Sequence, residues 1–198
     1  MAKPQPWRLI ANPAAARGRA RHIAGVASEN LRKRGISIEL IETEAPGHAG
    51  ELARGAVAQG AERIVVCGGD GTIHEVLPTL AGSEAALGLL PFGTANDFAR
   101  SLGIPRKLQP AVETLITGKE ALVDLGMEND RYFCTVAAFG FDAEVSQAME
   151  DGLVPLSGTV GYLYAAIQHI VNFDPPRTRI AGDFGTAEGE MLLVAAAV

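Results

Sequence analysis

Two short segments carry the residue types that could do chemistry. The first is Gly68-Gly69-Asp70-Gly71-Thr72, directly after the apolar run Arg63-Ile64-Val65-Val66-Cys67 and before a helical pattern. Glycines at the carboxyl end of a strand let the backbone approach phosphate oxygens without Cβ clashes. The amides that open the following helix then point at an anion, and the helix dipole favours it. A carboxylate at Asp70 would repel a triphosphate unless a cation lay between them, so Asp70 implies Mg²⁺. The plain alternative is a glycine turn with an aspartate cap. A side chain at Gly69 should block phosphate approach, or strain the backbone if φ is positive there.

The second segment is Pro91-Phe92-Gly93-Thr94-Ala95-Asn96-Asp97-Phe98-Ala99-Arg100. It follows the next apolar run, so it should lie beside the first loop on the same sheet edge. Gly93 and Thr94 can present backbone and hydroxyl donors. Asn96 and Asp97 open a helix, where capping is the competing reading. Neither segment fits the G-x-x-x-x-G-K-[ST] or the G-x-G-x-x-G pattern.

These loops need a sheet to hold them. Leu9-Ile10-Ala11, Ile36 to Ile41, Arg63 to Cys67 and Leu87 to Leu90 read as strands. Helical faces at Ala16–Arg34, Ala49–Val57, Thr72–Leu80, Ala95–Leu102 and Pro110–Thr117 separate or follow them. Alternating strands and helices with fully apolar strands predict a doubly wound parallel sheet covered on both faces. Near Ala121 the texture changes. Ala121–Gly126, Tyr132–Phe139, Thr178–Phe184 and Met191–Val198 read as strands, with hairpin turns at Asn129-Asp130 and Gly185-Thr186. One helix, Gly158–Phe173, interrupts them, and its face of Leu163, Ala166, Ile167 and Ile170 is expected to pack in a core. The fold class is therefore α/β. A three-layer Rossmann-like domain over residues 1–121 precedes the start of an antiparallel β-sandwich domain over residues 122–198. The last run, Leu192–Val198, ends without a turn and reads either as a central terminal strand or as part of a longer domain.

The composition narrows the function classes. A net charge of -6 and a pI near 5.2 argue against non-specific nucleic-acid binding. Two cysteines, Cys67 and Cys134, are too few for a disulfide framework and sit in apolar runs. The N-terminus lacks a signal-peptide core, and no run approaches a membrane span. A cytoplasmic protein is expected. His22, His48 and His169 share no ligand spacing.

Glycine-aspartate-glycine loops occur in diacylglycerol, sphingosine and NAD kinases and in phosphofructokinases. Together with Gly93-Thr94-Ala95-Asn96-Asp97-Phe98-Ala99, the loop resembles the catalytic domain of bacterial diacylglycerol kinases and related lipid kinases. Val123-Asp124-Leu125-Gly126, Phe139-Gly140-Phe141-Asp142-Ala143 and Gly161-Tyr162 resemble further segments of that family. The resemblance implies ATP and Mg²⁺ as cofactors and a diacylglycerol-like lipid as acceptor. It implies nucleotide contacts from Asn12, Pro13, Ala14, Ala15, Ala16, Thr43, Gly68, Gly69, Asp70, Gly71, Thr72, Ile73, His74, Glu75, Gly93 and Thr94. It implies catalytic roles for Asp70 and Asp97, and a metal network that includes Asp70 and Asp124. The general base matches no motif in residues 1–198. Peripheral contact with the membrane surface during catalysis is implied, and homodimerisation is left open. Two departures stand out. Ala14-Ala15-Ala16-Arg17-Gly18 replaces the family's Ser-Gly-Lys, leaving Arg17 or Arg19 as the nearby cation, and His74 replaces an Asn. An NAD kinase-like enzyme and a non-catalytic nucleotide-binding module remain alternatives.

Overall fold

The computed structural model describes residues 5–150, 155, 158–170 and 173–198. It divides into two compact units, one ending at Thr135 and the other beginning at Val136.

The first unit begins with β1 (Trp7–Ala11), an irregular turn α1 (Ala15–Gly18), α2 (Ala20–Lys33) and β2 (Ile38–Glu42). It continues through α3 (His48–Ala58), β3 (Arg63–Gly68), α4 (Asp70–Leu80) and β4 (Ala86–Pro91). It ends with α5 (Asp97–Ser101), α6 (Leu108–Thr117), β5 (Gly126–Glu128) and β6 (Arg131–Phe133). The four long strands pair in parallel in the order β2-β1-β3-β4.

Strand alternation sends side chains to both faces of this sheet, and both are covered. Leu9, Ala11, Val65, Cys67 and Leu90 pack with Ala20, Ala24, Ala27 and Leu31 of α2 and with Ala111 and Val112 of α6. Ile10, Ile64, Val66 and Leu89 pack with Ala49, Ala53 and Ala56 of α3, with α4, and with Phe98 and Ala99 of α5. Each fully buried Leu, Ile or Val contributes about 1.5–3 kcal/mol relative to exposure. The expected three-layer α/β domain is therefore present.

Two sequence expectations in this unit are corrected. The helix expected from Ala16 begins at Ala20, because Ala16, Arg17 and Gly18 all have positive φ (54°, 56° and 80°) and break it. The strand expected at Ala121–Gly126 does not form. Leu122 and Val123 are exposed, and only Gly126 of that run enters a strand, β5. The β5–β6 hairpin turns at Asn129-Asp130 as expected, with φ of 45° and 64°.

The second unit comprises β7 (Val136–Gly140), α7 (Phe141–Glu150), α8 (Gly158–Ile170), β8 (Arg177–Gly182), β9 (Gly185–Glu190) and β10 (Leu193–Ala197). β7 pairs antiparallel with β10, and β8 with β9. The strand expected over Tyr132–Phe139 is two strands, β6 and β7, in different units. The β8–β9 turn falls at 183–184, with Gly182 paired to Gly185, two residues earlier than the expected Gly185-Thr186. Helix α7 lies where sequence reading placed only a glycine-rich turn. That turn is compressed into Gly140, at φ 95°, after which the chain goes straight into the helix. The outer end of the expected Gly158–Phe173 helix includes residues 171–172, which lie outside the described ones. The face expected to be core is not: Leu163, Ile167 and Ile170 are exposed, while the small Ala165 is buried.

Candidate nucleotide-binding site

The order β2-β1-β3-β4 reverses direction between β1 and β3, and in open α/β sheets ligands bind outside the carboxyl ends of strands at such a switch point. The loops leaving β1 and β3 meet there. Asn12 N–H donates to the Cys67 carbonyl at 3.0 Å. Asn12 Nδ2 donates to Thr72 Oγ1 at 3.3 Å, and Asn12 Oδ1 accepts from Ala14 N–H at 3.0 Å. Thr43, just past β2, is fixed by its N–H on the Ala11 carbonyl at 2.8 Å. A cleft of ≈ 270 Å³ opens between these loops. Asn12, Pro13, Ala14 and Thr72 line it together with residues 43–46 and Glu75. A broader groove of ≈ 770 Å³ runs beside Trp7, Arg34, Arg63 and Lys119, at the amino ends of β1 and β3. It contains neither glycine loop, so its size does not make it the site.

The second loop comes from β4. Ala16 N–H donates to the Phe92 carbonyl at 3.0 Å, which fastens the loop after β1 to the loop after β4. The two glycine loops touch backbone to backbone. A Cβ on Gly69 would stand 2.9 Å from Gly93 Cα, and one on Gly93 would stand 2.3 Å from Gly69 Cα. Gly69 has φ -115° and ψ -170°, so no left-handed strain applies to it. Its need for glycine is steric, and the obstructed neighbour is Gly93 itself. Gly68 is similarly crowded, since a Cβ there would meet Thr72 Oγ1 at 2.7 Å.

Asp70 opens α4, and its Oδ1 accepts from Phe98 N–H at 3.2 Å. One carboxylate oxygen therefore caps α5 from across the site. Glu75 does the same for α3: its Oε2 accepts from Ala49 N–H at 3.0 Å. Glu44 N–H donates to His48 Nδ1 at 3.0 Å, which gives His48 a local role in shaping the cleft rim. Arg106 donates to the Thr94 carbonyl at 3.3 Å.

Of the expected residues, Asn12, Pro13, Ala14, Thr43, Thr72 and Glu75 share one cleft. Gly68, Gly69, Asp70, Gly93 and Thr94 belong to the two abutting loops. Ala15 donates its N–H to the Asn12 carbonyl. Ile73 is a core side chain at 2% exposure, and its N–H is already given to the Gly69 carbonyl. His74 and Gly71 are exposed on α4. Asp97 is ion-paired with Arg100 on the surface of α5. Asp124 is exposed in the irregular run before β5. Among the described residues, no three His, Cys, Asp or Glu side chains converge as a metal cage. Mg²⁺ is commonly held by one or two carboxylates together with substrate phosphates, so a protein cage of three ligands is not a requirement for it. Asp70 is the carboxylate that stands where the two glycine loops meet, with one oxygen engaged by Phe98 N–H.

Two features escaped sequence reading. Cys134 lies close enough to Asp70 for the two to interact electrostatically. Burial first, and the Asp70 charge second, push its thiol up to about 11. Asn96, read only as a helix cap, is 1% exposed and binds Gly93. Nothing in the sequence distinguishes it from its polar neighbours Thr94 and Asp97, because its burial comes from the contact between the two loops.

With this geometry in view, likeness to known proteins is informative. Residues 6–127 match the family model described as the diacylglycerol kinase catalytic domain. The chain belongs to the diacylglycerol kinase catalytic-domain family. It is 35% identical over 169 residues to the protein named "Probable lipid kinase YegS-like" of Enterobacter sp. (strain 638), covering 83% of this chain and 56% of that one. It is 32% identical over 190 residues to the protein named "Diacylglycerol kinase" of Bacillus subtilis (strain 168), covering 94% and 62% respectively. A crystal structure of a diacylglycerol kinase from Bacillus anthracis superposes with a TM-score of 0.72 at 24% identity, over 98% of this chain and 64% of that one. The chain thus spans somewhat over half the length of these curated relatives.

Proposed function

We propose that this chain forms the nucleotide-binding part of an ATP-dependent lipid kinase. The enzyme would move the γ-phosphate of ATP onto the hydroxyl of diacylglycerol or a similar lipid, giving phosphatidic acid or an analogue. The observation that carries this reading is the meeting of two glycine loops, after β3 and β4, beside a cleft at the β1/β3 switch point. Membership of the diacylglycerol kinase family supports it, and the relatives' lipid-kinase names favour a lipid over a soluble nucleotide such as NAD.

In this reading residues 1–121 hold the nucleotide and residues 122–198 begin the lipid-substrate domain. The nucleoside occupies the cleft by Thr43 and Asn12, and the phosphates extend toward Gly68–Thr72 and Thr94. Glycine at 69 and 93 lets the two loops abut, so that their backbones would face the phosphates together. Mg²⁺, held by Asp70 with Asp124 as a further candidate, would offset charge on the β- and γ-phosphates. Asp97 would act at the same loop edge. The lipid oxygen attacks the γ-phosphorus in line, the bond to the β–γ bridging oxygen breaks, ADP leaves, and the hydroxyl proton passes to a base. The acceptor would be reached at a membrane surface. Among the described residues no helix is long and apolar enough to cross a membrane.

The test is transfer from γ-labelled ATP to dispersed diacylglycerol, with NAD as competing acceptor. Labelled phosphatidic acid, lost in Asp70→Ala, is the expected outcome. Labelled NADP in its place would transfer the assignment to a soluble substrate.

A further inference from the structure

One side chain holds the segment between β4 and α5. Asn96 is 1% exposed and sits in the left-handed region, at φ 54° and ψ 49°. Its carboxamide is committed to a single residue. Gly93 N–H donates to Asn96 Oδ1 at 2.7 Å, and Asn96 Nδ2 donates to the Gly93 carbonyl at 2.8 Å. Among neutral side chains, a carboxamide supplies an acceptor and a donor together, as engaging both polar groups of one residue requires. A buried amide without such partners would be strongly unfavourable.

This is not a helix cap. Asn96 occupies the N-cap position of α5, yet its side chain makes no cap bond there. The cap comes from Asp70, whose Oδ1 accepts from Phe98 N–H at 3.2 Å. The side chain of Asn96 instead reaches back and pins Gly93, the residue whose Cα abuts Gly69. Buried polarity and a left-handed non-glycine residue coincide at the contact between the two loops. Such strain persists only where the surroundings over-determine it.

We propose that Asn96 is the positioning residue for the phosphate side of the site. It fixes Gly93-Thr94 against the Gly69 loop, and by setting where α5 starts it fixes the amide that orients Asp70. The proposal rests on the nucleotide-binding reading above, and Asn96 acts through Gly93 and Asp70 without touching ligand.

The experiment titrates the 198-residue chain with ATP and Mg²⁺ by calorimetry, well below its melting temperature. The parent is compared with Asn96→Gly and Asn96→Asp. Glycine keeps the left-handed backbone without cost and removes both bonds. Aspartate keeps the shape and the bond from Gly93 N–H, but sets an oxygen against the Gly93 carbonyl. The Kd for ATP should rise by about tenfold or more in both variants. Amide exchange should quicken in residues 92–96 and stay unchanged in β1 and β3. Variants that melt earlier yet bind ATP within twofold of the parent would make Asn96 a merely structural residue and overturn the proposal. So would unfolding of both variants; if only Asn96→Gly unfolds, the titration of Asn96→Asp decides. A parent that binds no ATP sinks the nucleotide reading itself and this proposal with it. The parent titration thereby separates the two failures.

Discussion

The two units of the chain treat their large apolar residues in opposite ways. In the first, Leu9, Ile10, Ile64, Val65, Val66 and Leu90 are at most 1% exposed, in a parallel sheet covered on both faces. In the second, Phe139, Leu163, Ile167 and Leu193 are each at least half exposed. Helix α8 packs on α7, where Tyr162 donates its hydroxyl to Asp142; Ala165, Val145 and Ala148 are buried, while the bulky Leu163, Ile167 and Ile170 are exposed. The first unit owns a closed core, and every loop of the candidate site grows from it. Precision in the site therefore depends on a sheet that is stable in itself. The second unit draws little of its stability from its apolar residues as they are placed here.

The largest expected effect lies in the site. Asp70→Ala removes the free carboxylate oxygen and the cap on Phe98 N–H together. Transfer to lipid should fall by about a hundredfold or more, as when a single preorganised charge-stabilising group is lost. Stability should fall by only about 0.5–2 kcal/mol, the usual cost of a lost cap. Labelled-phosphate transfer and urea melts, run on the same preparations, measure both. Near-normal transfer would remove Asp70 from the chemistry.

Next come the cores. Ile64→Ala, at 0% exposure, should cost about 2–5 kcal/mol in urea unfolding. Ile167→Ala, at 61% exposure, should change stability by less than about 0.5 kcal/mol. Comparable losses at the two positions would mean that α8 is buried in solution, and the contrast between the units would fail.

The glycine contact comes third. Gly93→Ala puts a Cβ 2.3 Å from Gly69 Cα, where backbone and not a flexible side chain must yield. Overpacking of this kind costs roughly 1–3 kcal/mol. The affinity for ATP should weaken along with it, because the two loops must part. Gly71→Ala serves as a control, since a Cβ at Gly71 meets nothing within 4 Å. Equal melting temperatures for Gly93→Ala and Gly71→Ala would show that the loops do not abut.

What the sequence revealed follows the same division. Ile64–Cys67 is apolar at every position because both sheet faces are covered, so strand and fold class were plain. The glycine loop was plain because its residue types are rare together. The Gly69–Gly93 contact was not, since it joins residues from different strands and depends on strand order. Helix α7 was hidden behind a glycine turn, although Asp142 and Glu144 in its first turn and buried Val145 and Ala148 mark a helix. β9 carries little hydrophobic signal, with mostly exposed residues over Gly185–Glu190, and its register rests on backbone pairing with β8. Sequence periodicity reports burial, so it is weakest in the unit that buries least.

A change of pH also separates the units. Both cysteines, free thiols, lie in the first unit. Burial pushes Cys67 up to about 12, and burial with the Asp70 charge pushes Cys134 up to about 11, from an ordinary value of 9.0. The unfolded chain loses these protons near pH 9, while the folded unit keeps them. Above pH 9 the unfolded state therefore binds fewer protons, and stability must fall as pH rises toward 11–12. The contribution is fully present below pH 9, and its loss is on the order of 1 kcal/mol per thiol per pH unit inside the window. Thiolate is the reactive form, so neither cysteine should react with a disulfide reagent at pH 8 until urea is added. Asp70→Asn removes the charge that raises Cys134, so Cys134 should become more reactive at alkaline pH while Cys67 does not change. Exchange-resolved melts between pH 8 and 11 should show the loss in β1 and β3 and not in β7 and β10. A loss shared equally by all four strands would mean that the units unfold as one, and that the contrast in burial does not divide the molecule energetically.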